Sequence, residues 1–366
     1  MLWKQQFFTV LILLIVRHAC YADGCHDEVP YWRMATNVHT GFVITHHNNM
    51  HILTEHHPRA FELFLAKRVH GEKDWHSFYG YPEYGASLIM FDFGSPSYIG
   101  KSYGLYPFMN FFLCNSGKHL NISVKVGAGA AYVEKIFDRH TNFKNVAIGS
   151  HINALLSLQF NAHVRITNDL SAFTGIGLTH FSNGAFKMPN AGLNILTLNA
   201  GFGYTFGDRY PLKSMASVEM PDKKWCYRIY LSGGVKEISP VGGEKYLTSG
   251  FSLEMSRKHL PLTRFGGTFD LFYDTSDYHS LRDDDTNRLA TVKAGLAAGY
   301  ELAFGRLSVI VQAGIYLRAK YTENGMTYQR MALRYAVNSK ANIHFGLKNQ
   351  LGQADYLEIS YGYRIR

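Results

Sequence analysis

Apolar and polar residues alternate with a period of two along most of the chain. In Ile152–Ile166 the even positions are Ile152, Ala154, Leu156, Leu158, Phe160, Ala162, Val164 and Ile166. The odd positions, Leu155 apart, are Asn153, Ser157, Gln159, Asn161, His163 and Arg165. Successive side chains of a β-strand point to opposite faces, so one face of this segment is wholly apolar and the other polar. Leu120–Tyr132 sets Leu120, Ile122, Val124 and Val126 against Asn121, Ser123, Lys125 and Gly127, and Val292–Leu302 repeats the pattern. Tyr227–Val235, Leu307–Leu317, Ala341–Leu347 and Leu357–Ile365 read the same way.

Soluble strands usually run about 5–6 residues, and these are longer. Alternating segments of about ten residues between turn signals mark a transmembrane β-barrel, with its apolar face to lipid and its polar face inward. The competing fold is a soluble sandwich or lipocalin-like barrel with the apolar face inside. Second faces rich in Gly, Ala and Ser with scattered charge fit a barrel interior better. The expected class is all-β, an antiparallel transmembrane β-barrel of about 14–16 strands. Eight strands are expected near 32–46, 58–69, 83–93, 98–114, 119–134, 149–166, 170–182 and 191–206, and six to eight more after Gly207. Polar residues and two Pro over Asp208–Lys224 mark a loop. Strands resume beyond it at the same spacing, so 208–366 is expected to complete one barrel with 23–207.

Composition narrows the picture. With 46% hydrophobic and 18% charged residues, disorder is excluded. The longest apolar run, Phe7–Val16, is too short to cross a bilayer as a helix. With Lys4 before it and Cys20-Tyr21-Ala22 ahead of Asp23, residues 1–22 read as a cleaved signal peptide that exports the chain. A lipoprotein signal ending at Cys20 is the alternative, which Arg17 and His18 fit badly. Cleavage leaves Cys25, Cys114 and Cys226, enough for one internal bridge at most. The net charge of +9 comes without a Lys/Arg cluster or nucleic-acid motif, which points to anionic lipid or glycolipid head groups as partners. His46-His47-Asn48-Asn49-Met50-His51 with His56-His57 has only Glu55 as a further ligand and reads as a solvated turn rather than a metal site. Tyr31, Trp32, Trp75, Tyr79 and Trp225 at strand ends fit an aromatic girdle.

One passage carries candidate chemistry: His180-Phe181-Ser182-Asn183-Gly184-Ala185-Phe186-Lys187-Met188-Pro189-Asn190-Ala191-Gly192-Leu193-Asn194. His180 and Ser182 stand two apart on a strand and share a face, the minimum for a base-activated nucleophile. Counting back in twos gives Leu178, Ile176, Thr174, Ala172 and Leu170, the apolar face. On the next strand Asn194 shares its face with Leu196, Leu198, Ala200, Phe202 and Tyr204. All three polar groups therefore fall on the lipid-facing side, at the joined ends of two strands. Such a position suits a membrane lipid as substrate, or else a rim that merely faces water and head groups.

This run resembles the active-site motif of the PagL-type lipid A 3-O-deacylases, the acyloxyacyl hydrolase family. The resemblance is specific over residues 180–194, looser over 32–207, and silent on 208–366. It implies an outer-membrane barrel that hydrolyses an ester-linked acyl chain of lipid A, with no metal or diffusible cofactor. It makes Ser182 the nucleophile and His180 its base, with Asn183 and the Ala185 N–H as oxyanion-hole donors. The family's acid, a Glu, falls at Asn194, a departure that keeps an acceptor for the imidazole but loses the charge. Lys187 is placed either against a lipid A phosphate or in a solvated loop. A non-enzymatic pore or structural barrel, and a phospholipase using the same Ser-His pair, are the rival functions. In a structure, His180 should lie within hydrogen-bond reach of Ser182 with Asn194 beside it; Ser182 inside the lumen would count for a pore.

Overall fold

The computed structural model describes residues 28–46, 48–115, 120–213, 224–281, 291–322 and 325–366; the expected signal peptide lies outside them. The first strands are β1 (Glu28–Val43), β2 (Arg59–Arg68), β3 (Glu83–Asp92), β4 (Lys101–Asn115), β5 (Leu120–Val133), β6 (Ile152–Arg165), β7 (Leu170–Ser182) and β8 (Leu193–Pro211). The next are β9 (Trp225–Glu237), β10 (Lys245–Leu260), β11 (Thr263–Asp274), β12 (Lys293–Phe304), β13 (Leu307–Arg318), β14 (Thr327–Ala336), β15 (Ala341–Gln350) and β16 (Gln353–Arg364).

Neighbours in sequence pair antiparallel, and the two ends of each set meet. β8 returns to β1 in register from Glu28↔Pro211 to Val43↔Ile195, and β16 returns to β9 from Leu357↔Val235 to Arg364↔Arg228. The chain therefore forms two closed eight-stranded barrels, which corrects the expectation of one larger barrel. Alternation fixes which face of a strand meets lipid, but both edges of every strand look alike in sequence. Closure follows from which edges find each other. β8 also runs on through Asp208–Pro211, expected as loop, because Glu28–Pro30 of β1 supplies its pairing partners.

The apolar faces point outward in each barrel, the reverse of a soluble core. In the first, Val38, Leu88, Leu105, Ile176 and Leu198 are exposed, and in the second Leu231, Leu247, Phe265, Ile315 and Ile359. Among the described residues no helix is long and apolar enough to cross a membrane; strands do the spanning. Trp32, Tyr204, Tyr210 and Trp225 show their rings at the surface as girdle residues do, but Tyr79 is buried against Phe111. Cys226 is a free, buried thiol, while Cys25 and the side chain of Cys114 lie outside the description.

Each lumen is crossed by charged and polar side chains, many of which pair with one another. In the first barrel Glu62 is fully buried and accepts from Lys125 Nζ at 2.5 Å, Gln159 Nε2 at 3.1 Å, and the hydroxyls of Tyr106 and Ser87. Tyr106 reaches Glu62 because it lies over Gly127, where a Cβ would overlap its ring. The second barrel repeats the device. Tyr328 donates to Asp270 at 2.6 Å, and a Cβ at Gly295 would stand 2.7 Å from its ring. Around it Arg330 pairs with Asp270 and Glu358, Arg334 with Glu254 and Glu301, and Lys236 and Lys348 with Asp355.

Removing one member of such a pair leaves a buried charge uncompensated, at a cost of about 3–5 kcal/mol. Glu62→Ala should therefore destabilise the first barrel by that amount, and adding Lys125→Met should recover part of it. Urea unfolding in detergent micelles, followed by heat-modifiable gel mobility, measures both.

Candidate active site

The motif lies where β7 ends and β8 begins. Phe181 and Leu193 are both fully buried, and Phe181 packs edge-on to Phe91 and Phe93 at ring separations of 5.4 and 5.2 Å. These residues point into the barrel, so His180, Ser182 and Asn194 point out. His180 and Asn194 are paired directly across β7 and β8. His180 Nδ1 donates to Asn194 Oδ1 at 2.8 Å, so in the neutral ring Nε2 is the acceptor. Ser182 is 9% exposed and shares the imidazole's face. A Cβ at Gly192 would lie 3.1 Å from His180 Cε1 and 3.4 Å from Ser182 Cβ, so both side chains converge over that glycine. Gly192 also sits at φ 73°, a left-handed conformation that glycine adopts without strain.

The loops at this rim hold the motif from outside the strands. The segment between β5 and β6 accepts from Ala191 N at Val146 O and from Gly192 N at Ala147 O, at 3.2 and 3.0 Å. Asn145, fully buried, ties that segment together by donating to Tyr98 O and Lys135 O and accepting from Ile148 N. Farther along, the N–H of Thr141 and of His140 donate to Asp138 and hold its carboxyl below the usual range. The histidine-rich segment is only in part the solvated turn expected, for His51, His56 and His57 are exposed. But Asn48–Leu53 forms a 3-10 helix whose Met50 and Leu53 are buried in the core at the end of the barrel.

The expected oxyanion donors are partly committed. Asn183 N–H donates to Asn190 Oδ1 at 3.0 Å, and Asn183 Nδ2 donates to Ser150 Oγ at 3.0 Å. Ser150 in turn donates to Ile152 O. Gly184 and Ala185 both have φ 63°, and for Ala185 this is an uncommon backbone state of the kind found at functional turns. Lys187 is exposed on the loop. Asn190 and Gly192 lay inside the motif but had no role in the sequence reading; Ser150 and His46 are distant in sequence and only the fold brings them in. His46 Nε2 donates to Ala191 O at 2.9 Å, and Asn194 Nδ2 lies 3.5 Å from His46 Nδ1.

A hydroxyl and an imidazole on one face, with the imidazole's far nitrogen held by an acceptor, can carry out nucleophilic acyl transfer. The class defined by fold and site is thus a transmembrane β-barrel with a Ser-His pair on its outer wall. Residues 59–203 match the family described as lipid A 3-O-deacylase (PagL), and residues 225–366 match the acyloxyacyl hydrolase C-terminal domain. Together these segments span more than three quarters of the sequence, and the chain belongs to the PagL-type lipid A deacylase family. No curated protein matches it. Similar solved structures include Neisserial surface protein A (9% identity, 49% of this chain and 99% of that one, TM-score 0.35). The outer-membrane enzyme PagL is 14% identical over 46% of this chain and 97% of its own, with TM-score 0.31. A triple mutant of the Rhodopseudomonas blastica porin covers 92% of this chain and all of its own at 9% identity and TM-score 0.18. Likenesses this loose carry no functional weight.

The convergence over Gly192 has a direct test. Gly192→Val puts a β-branched side chain at a left-handed position, costing about 1–2 kcal/mol, and drives it against the His180 ring. Misplacing a reacting group by about 1 Å costs on the order of 100-fold in rate, so acyl-ester turnover should fall by that factor while the barrel still inserts and shows heat-modifiable mobility.

Proposed function

We propose that the protein is an outer-membrane serine esterase that removes an ester-linked acyl chain from lipid A or a similar acylated glycolipid. The observation that carries this reading is the His180–Asn194 hydrogen bond on the lipid side of the wall, next to Ser182. Membership of a lipid A deacylase family supports the substrate class. The position supports it too. Both ends of the first barrel, Glu28 and Pro211, lie at the rim away from the motif. Bacterial outer-membrane barrels keep short turns on the periplasmic side and long loops outside. The loops at the motif's rim include 44–58 and 134–151, whereas at the other rim 69–82 is the one comparable connection among the described residues and β6 and β7 are joined by only 166–169. The pair would then face the outer leaflet.

In this mechanism Ser182 Oγ attacks the ester carbonyl while His180 Nε2 takes its proton. The side-chain amide of Asn183 and the Ala185 N–H would hold the oxyanion, each such donor being worth about 3–4 kcal/mol. His180 returns the proton to the leaving sugar oxygen, and the acyl group stays on Ser182. Water, deprotonated by His180, then attacks the acyl-enzyme; the bond to Ser182 Oγ breaks, His180 returns the proton to Oγ, and the fatty acid is freed. Asn194 keeps the imidazole in the tautomer whose Nε2 can accept a proton, but lacks the charge to stabilise the imidazolium. Lys187 on the exposed loop is the candidate contact for a substrate phosphate.

A pore is the less favoured reading. The lumens are crossed by buried ion pairs, and the cavity beside Glu254, Arg264 and Arg334 holds only about 20 Å³. That is room for little more than one water.

Fatty-acid release from purified lipid A in detergent tests the assignment. Ser182→Ala and His180→Ala should each abolish release while leaving a folded, inserted barrel, and Asn194→Ala should reduce it less. Full activity in Ser182→Ala would sink the esterase reading. Release from phospholipids but not from lipid A would shift it to a phospholipase.

A further inference from the structure

An amide in place of a carboxylate raises a problem that a carboxylate does not have. Either oxygen of a carboxylate accepts from the imidazole. An amide has one acceptor end and one donor end, and turning it over reverses the outcome. With Nδ2 toward His180, the ring would accept at Nδ1 and carry its proton on Nε2, where it could no longer take one from Ser182. Something must fix the amide's orientation.

We propose that His46 is the positioning residue that does so, a role that rests on the esterase reading above. His46 follows β1, whose end is laced to the start of β8 by Ile44 N donating to Asn194 O at 2.7 Å. His46 Nε2 lies 2.9 Å from Ala191 O. A carbonyl oxygen only accepts, so Nε2 carries the hydrogen, and in the neutral ring Nδ1 is then an acceptor. That lone pair faces Asn194 Nδ2 at 3.5 Å and takes the donor end of the amide. The acceptor end is thereby turned to His180 Nδ1 at 2.8 Å. Donors and acceptors run in one direction from His180 through Asn194 and His46 to the backbone oxygen of Ala191. The motif's own loop thus supplies the fixed acceptor that sets the tautomer of its base.

The test is a double-substitution cycle with kcat and KM for lipid A deacylation, beside 15N spectra of histidine-labelled protein in micelles. His46→Ala should lower kcat at least about tenfold, short of the roughly 10⁴-fold loss when a triad imidazole is locked in the wrong tautomer, with KM unchanged. The His180 resonances should move from the Nδ1-protonated form toward the Nε2-protonated one. His46→Gln, which keeps an acceptor for Asn194 and a donor for Ala191 O, should restore part of the loss. In the Asn194→Asp background both oxygens accept, so His46→Ala should cost less than about threefold, a clear departure from additivity. An equal loss in both backgrounds overturns the proposal, as does a loss confined to KM or an unchanged His180 tautomer in His46→Ala. Should Ser182→Ala keep full activity, the esterase reading falls, while the tautomer measurement still decides what His46 does to Asn194 and His180.

Discussion

Lipid offers a peptide group nothing to hydrogen-bond with, so a strand that spans a membrane must have both edges paired. The rest of the architecture follows from that constraint. β8 is long enough to run the full length of β1, and β16 meets β9 from Leu357↔Val235 to Arg364↔Arg228, so each set of eight strands closes on itself. Closure inverts the usual arrangement of a protein. The apolar face becomes the outside, and the polar face must be satisfied inside, away from bulk water.

How the interior is satisfied is similar in the two barrels. A tyrosine lies over a luminal glycine, Tyr106 over Gly127 on the adjacent strand and Tyr328 over Gly295 two strands away, and donates to a buried carboxylate, Tyr106 to Glu62 and Tyr328 to Asp270. Basic side chains then neutralise the carboxylate: Lys125 in one case, Arg330 in the other. Buried ion pairs are stabilising only when their geometry and remaining hydrogen bonds are good, and these carboxylates accept from several donors each. The glycines on the luminal face, which look like weak strand residues, make room for the aromatic rings that carry those donors.

The same inversion places the candidate site. Phe181 and Leu193 anchor the strand ends inside, and the residues between and beside them, His180, Ser182 and Asn194, are forced to the outer wall. A polar group there has no lumen to satisfy it. It finds partners in the rim loops: Asn190 and Ser150 for Asn183, and His46 for Asn194. The loops are fastened in turn by Asn145, which serves three backbone groups at once. The candidate site therefore rests on loop hydrogen bonds as much as on the strands.

The sequence by itself determined what period-two alternation can encode: that the chain is strands, where the first eight run within a few residues at most of their ends, which face of each meets lipid, and that His180, Ser182 and Asn194 share the outer side. Those are local properties, because neighbouring side chains on a strand alternate whatever the strand pairs with. The motif from His180 to Asn194 was legible for the same reason, being contiguous. Tertiary structure alone decided which edges join, and so that there are two barrels rather than one. It alone turned the segment around Met50 and Leu53 into a packed plug, carried β8 on to Pro211, and set His46 and Ser150 against the motif. Each of these depends on a contact between residues far apart in the chain, and neither periodicity nor spacing carries information about which distant edge or loop a residue will meet.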